Sequence, residues 1–252
     1  MKPIRVIGTG LFFAVWGISC IAFTLVGLPF VWLLFFQSDD REIWFRRFIG
    51  VFFRCFLRAA QWFGLISFEV SGLERLRSNV LVVSNHPSLV DVMFLLGWVP
   101  ELVCIVKNGL FRNPLTVFPV TSAGYIDNDN DELLALAIEC LRSGQSLLIF
   151  PEGTRTLPGE SFQFRRGAAN IAIFASVPIC PVTIAMNPIA WGKHQAWWKV
   201  VGDDTPHYKI EFHRTWDLNQ FEGTRSRKAR TVTKELEIFY GEKAGSTAVC
   251  DS

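Results

Sequence analysis

The chain has 252 residues, enough for one sizeable domain plus an appendage. Half of them are hydrophobic and 14% aromatic, with 23 Phe and 9 Trp, which points towards a membrane or a lipid substrate. The net charge is only +2, and the central region has neither a dense basic stripe nor zinc-finger spacing, so nucleic acid is not an expected partner.

From Val6 to Phe36 no residue is charged. As a helix this stretch would reach about 45 Å, against about 30 Å of hydrocarbon. Gly27 and Pro29 interrupt it, and Pro disrupts a helix interior. Residues 1–36 therefore read as a membrane anchor, either one tilted span ending near Gly27 or a bent, re-entrant hairpin. A cleaved signal peptide fits less well, because the run is long and no clear small-x-small site precedes a polar start. Lys2 and Arg5 precede the run, and Arg41, Arg46 and Arg47 follow it. Positive charge at both ends favours the hairpin, with both ends on the cytoplasmic side.

In residues 37–66, Phe45, Phe48, Phe52, Phe56 and Phe63 recur mostly at three- and four-residue steps, interspersed with Arg46, Arg47, Arg54 and Arg58. Such a helix is expected at a membrane surface. The same stripe also suits a helix packed on a core, and the two readings are compatible.

After Gly64 short β-rich runs alternate with helical patterns. Strands are predicted over residues 67–71, 80–84, 102–107, 146–150, 179–185 and 209–215, and helices over 89–96, 132–142 and 166–175. Residues 67–220 thus read as an α/β domain with a mixed central sheet flanked by helices. The Asp- and Asn-rich residues 127–131 are placed to cap the second helix, and Gly144 to end it. Residues 221–252 read as a C-terminal helix over 224–240 with a solvated face, then a frayed tail. The six cysteines include no CxxC pair and read as small buried hydrophobes in a reducing compartment.

Three polar clusters interrupt the apolar strands. The first runs from Ser84 to Asp91 and includes Asn85, His86 and Ser88, just past a predicted strand. Strand ends of this kind bind ligands in open α/β sheets. An imidazole can take a proton from a hydroxyl near neutral pH, and a carboxylate on its other nitrogen fixes the tautomer. His86 and Asp91 are five residues apart, wrong for a helical pair but workable with His86 in the loop and Asp91 in the first helical turn. Without further context a capping His and a surface Asp remain an equal reading. The second cluster, Phe150 to Arg155, also follows a strand. Gly153 permits a tight loop, Arg155 offers a planar fork suited to phosphate, and Arg165, Arg166 and Gly167 precede a helix start. An ordinary charged loop is the alternative. The third contains Lys107, at a strand end, and runs on to Asp127.

Other chemistries lack support: there is no GxSxG elbow and no GxxxxGK[ST] loop. His194, His207 and His213 lack metal-ligand spacing, so no metal is expected.

These motifs resemble the glycerolipid acyltransferases typified by bacterial 1-acylglycerol-3-phosphate acyltransferase. The NHxSxxD motif is matched by Asn85, His86, Ser88 and Asp91, and FPEGTR by every residue from Phe150 through Glu152, Gly153 and Thr154 to Arg155. A VPIxPV-like strand entry is similar to Val177 to Val182. A weaker second motif is similar across Lys107, Pro114, Gly124 and Ile126, but Asn128 stands where the family often has Arg.

The resemblance implies an enzyme of the inner (cytoplasmic) membrane, catalytic domain on the cytoplasmic side. It would transfer an acyl group from acyl-CoA or acyl-carrier protein to a lysophospholipid hydroxyl, most simply making phosphatidic acid. It further implies His86 as general base, Asp91 as its orienter, and acceptor-phosphate contacts from Arg155, Glu152, Gly153 and Lys107. Asn85, Ser88, Thr154, Arg166 and Gly167 would support the motifs. No cofactor is implied. The alternatives are another lyso-lipid acceptor and a non-catalytic lipid-binding membrane module.

Overall fold

The computed structural model describes residues 2–88, 90–153, 162–188 and 205–249. Seven strands form one sheet: β1 (Ser67–Ser71), β2 (Leu81–Ser84), β3 (Val103–Val106), β4 (Ile126–Asp127), β5 (Leu147–Ile149), β6 (Ile179–Asn187) and β7 (His207–Phe212), in the order β1-β7-β6-β2-β5-β3-β4. From β6 to β4 every neighbouring pair is parallel, while β7 runs antiparallel to β6 and parallel to β1. The expected mixed sheet is therefore present. The last predicted strand lies earlier than expected, over His207–Phe212, and β4 was too short to show in the sequence.

Leu81, Val82 and Val83 of the central strand have no exposed surface. A strand covered on both faces reads as a continuous apolar run because both sets of side chains need burial. One face packs Val80, Val82, Leu148 and Val182 against helices α3 (Arg41–Trp62) and α4 (Asp91–Trp98). The other packs Leu81, Val83, Leu147 and Ile179 against α7 (Leu133–Arg142), α8 (Gly167–Ala175) and α9 (Arg225–Val249). The short α5 (Asn108–Arg112) and α6 (Val117–Ser122) connect β3 to β4.

The amino-terminal run neither stops at Gly27 nor folds back within itself. Helix α1 (Lys2–Ala22) continues through a π-helical turn, Phe23–Gly27, into α2 (Leu28–Phe35). Ala22, Gly27 and Leu28 are all right-handed helical. Pro29 lies in the first turn of α2, where its missing N–H costs little, and the Leu28 N–H bonds back to the Phe23 carbonyl. The apolar helix Ile7–Phe35 is 29 residues long, sufficient to cross a membrane. Ile7, Leu11, Ile18, Leu25 and Val26 are each more than 60% exposed, as suits a lipid-facing surface.

The hairpin is formed instead with α3, which runs back along this helix. Trp16 and Phe23 stack on Phe52 at 4.4 and 4.0 Å, and Phe35 on Trp44 at 4.4 Å. The phenylalanine stripe packs on the anchor helix along its length: the buried Phe56 meets Trp16 at 3.9 Å, and the buried Phe45 clusters with Leu28 and Val31. Two arginines expected at a membrane surface face inward. Arg54 donates twice to the Gly97 carbonyl, at 2.8 and 2.6 Å, and Arg46, only 1% exposed, donates to the Glu42 and Glu101 carbonyls at 3.3 Å each. The last carbonyls of a helix lack internal partners, and the Arg54 guanidinium satisfies that of Gly97 near the end of α4.

The carboxyl-terminal helix continues through Val249 rather than fraying at Gly241, and Ala229, Val232, Leu236 and Tyr240 bury one of its faces. Helix α7 does end at Gly144, whose φ is +89°. The Asp/Asn run before α7 makes tight turns instead of a cap: Asp127 Oδ1 accepts from the Asp129 N–H and Asn130 Oδ1 from the Glu132 N–H. Cys104 and Cys180 are buried as expected, Cys20 and Cys140 partly so, and Cys55 is exposed.

Candidate active site

Because β2, β5 and β3 are adjacent and parallel, their carboxyl ends place the His86, Glu152 and Lys107 segments along one edge of the sheet. His86 sits in the loop after β2, and Asp91 is the first residue of α4. This resolves the five-residue spacing: Nδ1 of His86 lies 2.9 Å from Oδ2 of Asp91. Asp91 has no exposed surface. Its carboxylate also accepts the Ser88 N–H at 2.6 Å and the Ser88 hydroxyl at 2.5 Å, so both oxygens are bonded. A buried, bonded carboxylate holds the imidazole at Nδ1, so Nε2 is the nitrogen that Asp91 leaves unbound. The His86 side chain is 23% exposed and thus reachable.

Several groups hold this loop in place. The Asn85 amide bridges to β6, donating to the Ile184 carbonyl and accepting the Ile184 N–H, both at 2.8 Å. The His86 ring stacks on Phe150, with centroids 4.5 Å apart. The His86 N–H donates to Glu152 Oε1 at 3.1 Å, tying the first cluster to the second. Tyr208 of β7 stands behind the pair, where burial, reinforced by the charge of Asp91, pushes its phenol well above the usual range. Nothing in the local sequence marks Phe150 or Tyr208 as neighbours of His86, because the sheet order alone brings them there.

Gly153 has φ +69°, a conformation that favours glycine. A Cβ built on it would lie 3.6 Å from Cζ and Nε of Arg165. Arg165, which the sequence placed with Arg166 before a helix start suited to an anion, therefore sits against the Glu152–Gly153 segment. Arg166 and Gly167 are exposed at the start of α8, and the Arg166 side chain makes no capping bond there. Lys107 is exposed at the end of β3. Thr154 and Arg155 lie outside the described residues. Among the described residues no group of three or more His, Cys, Asp or Glu side chains could hold a metal ion.

An acyltransferase family model matches residues 67–185, a span containing all of these groups except Tyr208. The chain is 30% identical to a chloroplastic 1-acyl-sn-glycerol-3-phosphate acyltransferase from Arabidopsis thaliana, over 69% of this chain and 51% of that protein. It is 32% identical to a 1-acyl-sn-glycerol-3-phosphate acyltransferase from Pseudomonas aeruginosa, over 54% of this chain and 56% of that one. It spans about half the length of the curated relatives it matches. The crystal structure of the 1-acyl-sn-glycerophosphate (LPA) acyltransferase PlsC from Thermotoga maritima superposes with a TM-score of 0.70 at 23% identity, covering 98% of each chain, a likeness of fold.

Proposed function

We propose, from the acyltransferase family model that matches residues 67–185, that this chain transfers an acyl group from acyl-CoA or acyl-carrier protein to the free hydroxyl of a lysophospholipid. The acceptor is 1-acylglycerol-3-phosphate and the product phosphatidic acid. The observation that carries this reading is the His86–Asp91 pair, with Nδ1 held by a buried carboxylate and the ring partly open to the outside.

In this mechanism Nε2 of His86 takes the proton from the acceptor hydroxyl as its oxygen attacks the thioester carbonyl. Asp91 stabilises the imidazolium that forms. Collapse of the tetrahedral intermediate breaks the carbon–sulfur bond, and the imidazolium returns the proton to the departing thiolate. Both bond changes occur at the substrates, so neither a metal ion nor a covalent enzyme intermediate is needed. Phe150 covers one face of the imidazole and helps exclude water, which would otherwise compete as acceptor. Arg155, Glu152 and Gly153, assisted by Lys107, receive the acceptor phosphate, with Thr154, Arg166 and Gly167 supporting the loop.

The apolar α1–α2 helix holds the enzyme at the inner membrane with the catalytic domain on the cytoplasmic side. Its exposed apolar surface supports attachment to a membrane.

A second reading keeps the chemistry and changes the acceptor. Asn128 stands where the resembled family often has Arg, and its Oδ1 accepts the Asn108 N–H at 3.1 Å, beside Lys107. A short amide committed to the backbone adds no positive charge there.

The test is mass spectrometry of products from the full-length protein in detergent micelles, given a panel of lysophospholipids with acyl-CoA and acyl-carrier protein in parallel. Phosphatidic acid as the main product is expected. Another diacyl product would select the second reading, and no acyl transfer from either donor would overturn both.

A further inference from the structure

The segment that carries Glu152 and Gly153 is secured by a part of the chain beyond the matched span. Its far side leads through Phe162 and Phe164 into α8. The Phe164 N–H donates to Oε1 of Glu237 on α9 at 2.9 Å. The rings of Phe162 and Phe164 pack on Tyr240, one helical turn further along, at 5.8 and 5.2 Å. The Tyr240 hydroxyl reaches the sheet, donating to the Val83 carbonyl at 2.7 Å and accepting the Val182 N–H at 3.2 Å. Val83 lies three residues before His86. One helix thus pins both the strand that leads into the His86 loop and the return of the Gly153 segment.

Arg165 is the residue that this arrangement places. Its N–H donates to the Pro151 carbonyl at 3.0 Å, and its guanidinium lies against Gly153. It is exposed, and among the described residues it forms no ion pair. A planar cation over a glycine turn, beside the segment whose Glu152 accepts the His86 N–H, is suited to a phosphomonoester.

We propose that Arg165 binds the acceptor's phosphate and that Glu237 of α9 is the residue that positions it. This rests on the acyl-transfer reading above and extends the acceptor site to a helix outside the matched residues. The carboxylate of Glu237 acts through the Phe164 N–H. Glutamine retains an acceptor oxygen at the same place, so Glu237→Gln should behave like the wild type, whereas Glu237→Ala releases the segment.

The test is equilibrium binding of 1-acylglycerol-3-phosphate to the full-length protein in detergent micelles, alongside steady-state transfer kinetics. Arg165→Gln should weaken acceptor binding about tenfold or more, the loss of a charge-assisted contact. Acceptor KM should rise in parallel, while donor KM and kcat change little. Arg165→Lys should restore part of the affinity. Glu237→Ala should weaken binding as Arg165→Gln does, and Glu237→Gln should not. Free phosphate and acyl-CoA serve as competing arms. If Arg165→Gln leaves acceptor binding unchanged, or shifts only the donor or free phosphate, the proposal is wrong. Arg165 is exposed, so its variants remain informative even where Glu237→Ala fails to fold. Arg165-dependent binding without turnover would sink the acyl-transfer reading alone, and turnover with Arg165-independent binding would sink this one alone.

Discussion

Nδ1 of His86 and Oδ2 of Asp91 are 2.9 Å apart, and that same oxygen accepts the Ser88 N–H. Asp91 is thus fixed from the backbone side before it meets the imidazole. Under the proposed mechanism His86→Ala should lower kcat by roughly 100- to 10,000-fold, the usual cost of losing a general base. The fold should survive, because His86 is partly exposed. Asp91→Asn should produce a loss of similar order, since an amide cannot stabilise the imidazolium. Far-UV circular dichroism and thermal melts would verify folding, and near-normal turnover in either variant would refute the assigned roles.

Asn85 is the more delicate neighbour. Its amide uses one donor and one acceptor on the same residue, Ile184, at 2.8 Å each. Asn85→Asp replaces the donor with a second acceptor that faces the Ile184 carbonyl in a buried setting. A cost of about 2–3 kcal/mol is expected, as for a buried polar group left without its partner. Activity should also fall, because the next residue is His86. Chemical denaturation gives the first quantity and initial rates the second. A variant equally stable and active would show that the bridge does not hold the loop.

Arg46 tests the docking of the anchor hairpin on the domain. Its guanidinium is almost fully buried, near the exposed Glu42 carboxylate and bonded to the Glu42 and Glu101 carbonyls. Burial lowers its pKa, although Glu42 opposes that shift, so the site itself bears the cost of keeping the charge. Truncation to Ala removes the guanidinium donor from the Glu101 carbonyl and leaves a void, and should destabilise the protein by about 2–4 kcal/mol. Arg46→Met refills most of the volume and should recover part of the loss. Unfolding midpoints that place both variants at the wild-type value would exclude this role.

The clusters around His86 and Glu152 were legible in the sequence because they interrupt apolar strands with residues that strands do not tolerate. The central strands were legible for the complementary reason, since Leu81 to Val83 need burial on both faces. What stayed hidden depends on partners distant in the chain. Arg54 meets Gly97 across 43 residues, and Glu237 meets Phe164 across 73. An arginine on an aromatic helix looks interfacial until the helix that ends beneath it is known. Pro29 suggested a break, yet a π-turn just before it lets the helix restart around it. Strand β4 has two residues, fewer than any alternation can reveal.

His213 predicts how stability responds to acid. The ring, just past the end of β7, is buried beside β6, with Nε2 2.8 Å from the Thr183 hydroxyl and Nδ1 3.7 Å from Glu211. Burial lowers its pKa; Glu211 opposes that shift, while Lys243 and Arg75 add to it. The folded protein therefore protonates His213 at a lower pH than the unfolded chain, whose imidazole titrates near about 6.5. Between the two values the unfolded chain binds more protons, so stability rises with pH through that window and is lost as the pH falls below about 6.5. Thermal melts taken between about pH 7.5 and pH 5 should show this decline. His213→Gln keeps a partner for Thr183 but does not titrate, and its melting temperature should fall less steeply over the same range. If the two curves keep the same slope, His213 is not the group responsible.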